Sequence, residues 1–358
     1  MSFSFNFSGD DIDAENRVKT HDGAGSGSSA ASQAEVVSHS LAELLATLPS
    51  SISYSTVTVE SPTSRVLHLP RRELFDIRVQ LMAEDDTSNE STLQDLEKSD
   101  IRSNVYEGGF KTWECSMDLA SLLLDRGPRK DIDELCKCDN IIEVSSHYRE
   151  RLTLLTEMKL GAGTALPTLV LFQHALQSSY SLTFTLADYN AAVLGLVTLP
   201  NLLLTWAKFA TPSALTDSDK NAKGELEVTP QLTQRFVQDL QTAGIGLHFL
   251  SGPWSPKLAG FISPSGTNMG TVILAAETIY SPASLAPFVD LVVDILKRVK
   301  MSKAMICAKR MYFGVGGSVD ALKEACAEKG AVCYEIENAG VPGMTAGVGR
   351  ALLEVQMY

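Results

Sequence analysis

The sequence predicts an α/β protein, a mostly parallel sheet with helices on both faces, and three observations carry that reading. From about residue 140, short apolar runs (SLTFTLAD, IGLHFLS, TVILAAE, AMICAKRMYF, AVCYEIE, RALLEVQM) alternate with longer helix-like segments. Alternation of that kind builds a sheet whose ligand crevice lies at the carboxyl ends of its strands. The stretch KLGAGTALPTLVLF, Lys159 to Phe172, sets two closely spaced glycines ahead of an apolar helix, with Pro167 near the first helical position. There its fixed φ suits a helix start, and its missing N–H would have had no helical partner. The next strand ends in LADYN, which places Asp188 at the crevice.

The elements follow in order. Residues 1–35 carry few large apolar groups after Phe7, and Gly23 to Ser32 is made only of Gly, Ala and Ser. Such a composition cannot offset the entropy of ordering, so a disordered tail is expected. Residues 36–100 are expected to form a β/helix extension packed on the main domain. In it, Val36 to Leu48 has helical spacing, while SISYSTVTVE and LFDIRVQLM read as extended structure on either side of a Pro-containing turn. AEDDTSNESTLQDLEKSD and TPSALTDSDKNAKGELEVTP read as polar surface loops. Residues 101–358 form the main domain, in which the glycine loop follows the first strand.

Composition sets the outer limits. At 358 residues, with 44% hydrophobic and 20% charged residues, the chain is an ordinary globular protein. The opening MSFSFNFSGDDID lacks a basic leader, and the apolar run Val193 to Ala210 is broken by Pro200 and Asn201, so neither a signal peptide nor a membrane span is expected. Six cysteines (Cys115, Cys136, Cys138, Cys307, Cys326, Cys333) show no C-x-x-C pair and no histidine at zinc spacing. They read as reduced thiols of a cytoplasmic or nuclear protein, with no metal. A net charge of −13 argues against nucleic acid as the ligand. It suits a basic protein partner, or solubility alone. The histidines form no ligand cluster and there is no G-x-S-x-G elbow; His174 and His248 are expected to pack in a helix and a strand.

The glycine loop narrows the cofactor. A dinucleotide fingerprint needs glycine at position 166, where Leu166 stands, and a phosphate-binding loop needs Gly-Lys before Ser or Thr. Gly161 and Gly163 still permit close backbone approach, which points to an adenosine ligand without a pyrophosphate. Asp188 offers two carboxylate oxygens to the ribose diol.

GGFKTWEC (108–115), LGAGTALP (160–167), DYN with TLPN (188–190 and 198–201), FLSGPW (249–254), AAETIY (275–280) and YFGVGG (312–317) resemble, in order, the eukaryotic histidine protein methyltransferases, the fungal members most. The resemblance covers roughly residues 100–358. It implies the seven-strand, Rossmann-like class I fold that uses S-adenosylmethionine, with strand order 3-2-1-4-5-7-6 and the seventh strand antiparallel. It also implies methylation of a ring nitrogen of one histidine in a large-subunit ribosomal protein, by a chain acting as a monomer. The implied cofactor contacts are Lys111, Thr112, Trp113, Glu114 and Cys115 over the methionine moiety, Gly161 with Gly163 in the loop, Asp188, Tyr189 and Asn190 at the ribose, Gly252, Pro253 and Trp254 at the adenine, and Ala275 behind the sulfonium. One departure is Lys159, where the family usually has an acid.

Several of these residues have an alternative role. Glu277 ends a strand where such enzymes present groups to the methyl acceptor, and a carboxylate there can accept from one imidazole N–H and fix the tautomer whose other nitrogen attacks. The alternative is a strand-end Glu that caps the next helix. Tyr280 lines an acceptor channel or packs under the sheet. Trp113 and Trp254 are flat cofactor walls or core residues. Glu114 holds the methionine ammonium or is solvated. Lys309 and Tyr312 to Gly317 shape a protein-substrate surface or form an ordinary turn. Two other functions stay open: a lysine methyltransferase of the same fold, and a non-catalytic escort of a basic ribosomal protein, which Lys159 favours.

Overall fold

The structure is a computed structural model that describes residues 35–83, 110, 112–126, 138–148, 158–160, 162–178, 181–210, 223–266, 269–337, 341, 344–345 and 347–358. The expected disordered tail, except Glu35, and the acidic loop after residue 83 lie outside them, as do Lys111 and Gly161.

Among the described residues the main sheet has nine strands, two more than expected. They are β1 (Val37–His39), β4 (Cys138–Tyr148), β5 (Met158–Leu160), β6 (Leu182–Asp188), β8 (Ile245–Ser251), β9 (Gly270–Ala276), β10 (Lys303–Lys309), β11 (Ala331–Glu335) and β12 (Arg350–Met357). The order is β1-β8-β6-β4-β9-β10-β12-β11, with β5 paired to the end of β4. The central strands β8, β6, β4, β9 and β10 are mutually parallel. β12 runs antiparallel to both β10 and β11. The two extra strands are β1, antiparallel on the β8 edge, and β5, which turns back along β4. The glycine loop therefore follows β5 rather than the first long strand.

A second sheet, in the order β3-β2-β7, is formed by β2 (Ser51–Glu60), β3 (Val66–Arg72) and β7 (Lys223–Glu227). The stretch KGELE, expected as loop, is β7, and it pairs antiparallel with Ser51–Ser55. Ile52, Tyr54, Val59, Leu69 and Leu226 of this small sheet are buried in the same core as one face of the large sheet.

Helices cover both faces of the large sheet. On one side lie α3 (Glu114–Arg126), α4 (Leu166–Gln177), α5 (Ala191–Ala210) and α6 (Pro230–Ala243). On the other lie α7 (Pro256–Phe261), α8 (Pro282–Leu296) and α9 (Val319–Glu328). The N-terminal helical pattern resolves into β1 and α1 (Leu41–Ala46), divided at Ser40, whose hydroxyl accepts from the Glu43 N–H while Glu43 accepts from the Ser40 N–H.

Two local readings are corrected. LFDIRVQLM lies within α2 (Leu74–Ala83), not in extended structure. Asp76, Arg78 and Gln80 alternate with Ile77, Val79 and Leu81, a period of two that imitates a strand. In the helix Asp76 and Gln80 lie one turn apart, and Arg72 holds both: its Nε donates to Asp76 at 2.6 Å and its Nη2 to Gln80 at 2.7 Å. The run to Ala210 is likewise unbroken. Helix α5 passes through Pro200 with a π-helical turn at Leu194–Thr198. Pro200 has no N–H to return to the Leu196 carbonyl four residues earlier, and Arg72 Nη1 donates there instead at 3.0 Å. The helix is long and apolar enough to cross a membrane, yet most of its length is buried inside the protein.

Candidate functional site

The carboxyl ends of β6 and β9, on either side of β4, each carry a buried acid. At the β6 end, Asp188 Oδ2 accepts from the Gly163 N–H at 3.2 Å and Oδ1 from the Asn190 N–H at 2.9 Å. Burial pushes its carboxyl up to about 8 against the opposing effect of those two N–H groups. The glycine loop is held from several sides. Ala162 N–H donates to the Ala187 carbonyl at 2.7 Å, Thr198 Oγ1 to the Gly163 carbonyl at 2.8 Å, and Asn201 Nδ2 to the Thr164 carbonyl at 3.0 Å. Gly163 and Ala165 sit at left-handed φ of 57° and 54°, which turns the chain into α4. No side chain at Ala165 caps α4; Glu143, buried on β4, accepts from the Thr168 N–H at 2.9 Å instead. Burial raises Glu143 to about 7.

At the β9 end, Glu277 adopts a left-handed φ of 57°, a strained conformation for a residue with a side chain. Its N–H donates to the Cys307 carbonyl at 3.0 Å, so the strain is fixed by the neighbouring strand. Tyr312 Oη donates to Glu277 Oε2 at 2.5 Å, and Lys309 Nζ lies 3.8 Å from Oε1. Burial, then the Glu277 charge, pushes the Tyr312 hydroxyl well above its usual range, so it remains a donor. Lys309 Nζ also lies over the Trp113 ring at 5.8 Å from its centre.

Comparison with curated proteins decides the family. Histidine protein methyltransferase 1 of Saccharomyces cerevisiae is 34% identical over 355 residues, covering 89% of each chain. The chain belongs to the histidine protein methyltransferase family. Histidine protein methyltransferase 1 of Schizosaccharomyces pombe is 36% identical over 79% of this chain and 75% of its own, and the Bos taurus homologue 25% over 72% and 57%. No family model matches the chain. Among solved structures, an O-methyltransferase family protein from Burkholderia thailandensis superposes with a TM-score of 0.35 at 7% identity, covering 78% of this chain and 62% of its own, too loose a likeness to argue from.

In this histidine protein methyltransferase, the residues singled out from the sequence fall into three groups. Thr112 meets the glycine loop, its Oγ1 donating to Thr164 Oγ1 at 3.3 Å while accepting from Arg71 Nη1 at 3.1 Å. Trp113 and Cys115 lie beside the Glu277 corner, Cys115 fully buried. Asp188, Asn190 and Gly252 form the second group: Asn190 caps α5 by accepting from the Ala192 N–H, and the Gly252 N–H donates to the Asp188 carbonyl at 3.0 Å. Tyr189 is partly buried against the adjacent core, and Pro253 is half-buried.

The third group sits in packed interior. Trp254 is buried with its ring centre 5.0 Å from that of Phe288, and Ala275 is fully buried within β9 on the same side. Tyr280 is buried edge-on to Tyr312 at 6.5 Å. Glu114 is exposed and pairs with Arg350 at 3.0 Å. His248 does lie on a strand, but its side chain is exposed, so its expected packing is corrected; β1 pairs with β8 only beyond it, at Phe249 to Ser251.

Some partners had no sequence signal. Arg350 holds Asp118 through Nε and Nη2, and the ligand atoms of Cys115, Asp118 and Cys307 lie within 4.8 Å of one another. With Arg350 on its carboxylate, Asp118 belongs to an ion pair that ties α3 to β12. Gly252 has a φ of 125°, and any side chain there would meet the Val36 Cα at 2.8 Å, so the N-terminal segment crosses directly over it.

Proposed function

We infer that the chain transfers a methyl group from S-adenosylmethionine to a ring nitrogen of a protein histidine. The observation that carries this is the 34% identity, over 89% of both chains, to histidine protein methyltransferase 1 of Saccharomyces cerevisiae. The cofactor's fit rests on Asp188. Each of its oxygens accepts one backbone N–H, and a carboxylate oxygen has lone pairs for more, so two ribose hydroxyls can complete it. Setting aside β1 and β5, the strands run β8-β6-β4-β9-β10-β12-β11, which in chain order is 3-2-1-4-5-7-6, in support of the seven-strand class I core.

S-adenosylmethionine supplies an electrophilic methyl on a positively charged sulfur. The residues proposed to hold it are Thr112 to Cys115, the Gly163 loop, Asp188 to Asn190, and Gly252 to Trp254. Glu277 accepts the N–H of the acceptor imidazole, which leaves the other ring nitrogen neutral and aligned. The N–CH3 bond forms as the C–S bond breaks, with that electron pair going to sulfur. The ring becomes a cation beside the Glu277 carboxylate, and its N–H proton leaves to solvent. Charge disperses in this step, so the chain's contribution is alignment and exclusion of water.

The proposed substrate is a basic large-subunit ribosomal protein, met in the cytoplasm or nucleus by the monomeric chain; the net charge of −13 supports a basic partner. Peptide mass spectrometry of ribosomal proteins from cells lacking the protein tests this. One histidine should lose 14 mass units relative to normal cells and regain them when purified protein and S-adenosylmethionine are added. Restored methyl-lysine would favour the lysine enzyme, and no restored methylation at all the escort.

A further inference from the structure

The acceptor carboxylate does not stand alone. Glu277 lies at the end of β9, whereas Lys309 and Tyr312, which both reach it, come from the end of β10 and the turn that follows. That turn is welded to the segment behind Glu277. The Gly317 N–H donates to the Tyr280 carbonyl at 3.0 Å, and a side chain at Gly317 would strike the Ile279 carbonyl oxygen at 2.0 Å. The Tyr312 N–H donates to the Gly317 carbonyl at 2.8 Å, and Tyr312 Oη accepts from the Lys309 N–H at 3.2 Å. Tyr312 is thus fixed at backbone, hydroxyl and ring before it touches Glu277.

We propose that Tyr312 and Lys309 are positioning residues for methyl transfer: together they lock the Glu277 carboxylate in the one orientation that accepts the acceptor imidazole N–H. The inference rests on the reading of Glu277 given above and adds to it. Tyr312 donates to Oε2, which fixes the plane of the carboxylate while a carboxylate can still accept from a further donor. Lys309, with 21% of its side chain exposed, brings its ammonium to 3.8 Å from Oε1, so that an opposite charge holds the carboxylate from a second side. Because Lys309 also lies over Trp113, the clamp reaches the segment implied to cover the methionine moiety, so acceptor and donor sides share one set of contacts. A strained backbone at Glu277 is the cost of aiming its side chain this way.

The test is a double-mutant cycle in the full-length protein. Methylhistidine formed from labelled S-adenosylmethionine is counted on ribosomal proteins from cells lacking the enzyme, over a range of substrate dilutions. Glu277→Gln is expected to lower kcat by about 30-fold, and Tyr312→Phe by about fivefold, with KM and the calorimetric Kd for S-adenosylmethionine unchanged. Lys309→Met should lose about threefold and Lys309→Arg should keep most of the activity. In the Glu277→Gln background, Tyr312→Phe should cost nothing further, because its effect passes through the carboxylate.

The clamp is overturned if Tyr312→Phe and Lys309→Met keep full kcat while Glu277→Gln does not. It is also overturned if the Tyr312 and Glu277 losses simply multiply, or if the Tyr312→Phe loss appears in the cofactor Kd. Lys309→Met changes a partly exposed side chain and decides the matter should Tyr312→Phe fold poorly. If Glu277→Gln itself is fully active, the reading of Glu277 fails first; if the native protein forms no methylhistidine, the functional reading fails.

Discussion

Asp188 and Glu277 end strands on opposite sides of β4, yet they are held by opposite means. Asp188 is fastened by backbone N–H groups of the glycine loop and of Asn190, with no cation among the causes of its raised pKa. Glu277 is fastened by side chains, a tyrosine hydroxyl and a lysine ammonium. A carboxylate held by backbone moves only if the loop moves, which suits it to a fixed ligand met in every turnover. One held by side chains can be aimed and charged independently of the main chain, which suits it to an acceptor that arrives, reacts and leaves.

The comparison breaks most plainly at Asp188. Asp188→Ala should weaken S-adenosylmethionine binding by about 100-fold, the scale of charged hydrogen bonds lost to two hydroxyls. Calorimetry on the folded variant checks this, and an unchanged Kd would remove Asp188 from the cofactor site. Glu277→Gln should do the reverse, leaving the Kd untouched while lowering methyl transfer on the order of 30-fold. If both variants lose cofactor affinity alike, the two corners are one site and the division fails.

Why Asp188 was legible in the sequence and the Glu277 clamp was not follows from how each is built. Gly163 lies 25 residues before Asp188 with Pro167 between them, and strand-end position is a property of local pattern. The clamp spans 35 residues, and it depends on β10 lying beside β9, which no local pattern states. Arg72 is harder still: it donates to the Leu196 carbonyl 124 residues away, which supports the passage of α5 through Pro200. Strands β6 and β8 to β12 were readable because short apolar runs alternate with helix-like segments; β4, CDNIIEVSSHY, lies at the centre of the sheet but carries polar residues at both ends of a short apolar run. β7 was not readable, because KGELE carries three charges and is a strand only through its pairing with β2.

The Asp188 corner should also make stability depend on pH. Folded, cofactor-free protein keeps a proton on Asp188 up to about 8 and on Glu143 up to about 7, where the unfolded chain has already lost both. The folded state binds more protons across that interval, so stability falls as pH rises from the ordinary carboxylate range toward 8. Thermal melting without cofactor should decline over this window, less so in Asp188→Asn. Cofactor should flatten the decline, since ribose hydroxyls favour the charged Asp188. A melting temperature that rises with pH from 5 to 8 would contradict the raised values.

The smallest expected effect concerns Lys159, whose backbone lies in β5 opposite His147, leading into the glycine loop. An acid at this position would lie near the positive end of S-adenosylmethionine, through loop amides or water to its ammonium, whereas a lysine brings a like charge. A lysine stem is long and flexible enough for its ammonium to avoid a like charge, so the native protein is expected to bind cofactor, but less tightly than it could. Lys159→Glu is expected to tighten binding by up to about fivefold, about 1 kcal/mol, the scale of a partly exposed charge interaction. The gain should shrink in high salt, because exposed charges are screened while the Asp188 hydrogen bonds are not. Dissociation constants and methyl transfer for both forms at two salt concentrations measure this. A native protein that binds no cofactor, with binding and transfer both restored by Lys159→Glu, would instead make this chain a silenced enzyme, and the escort of a basic protein would become the better account of its function.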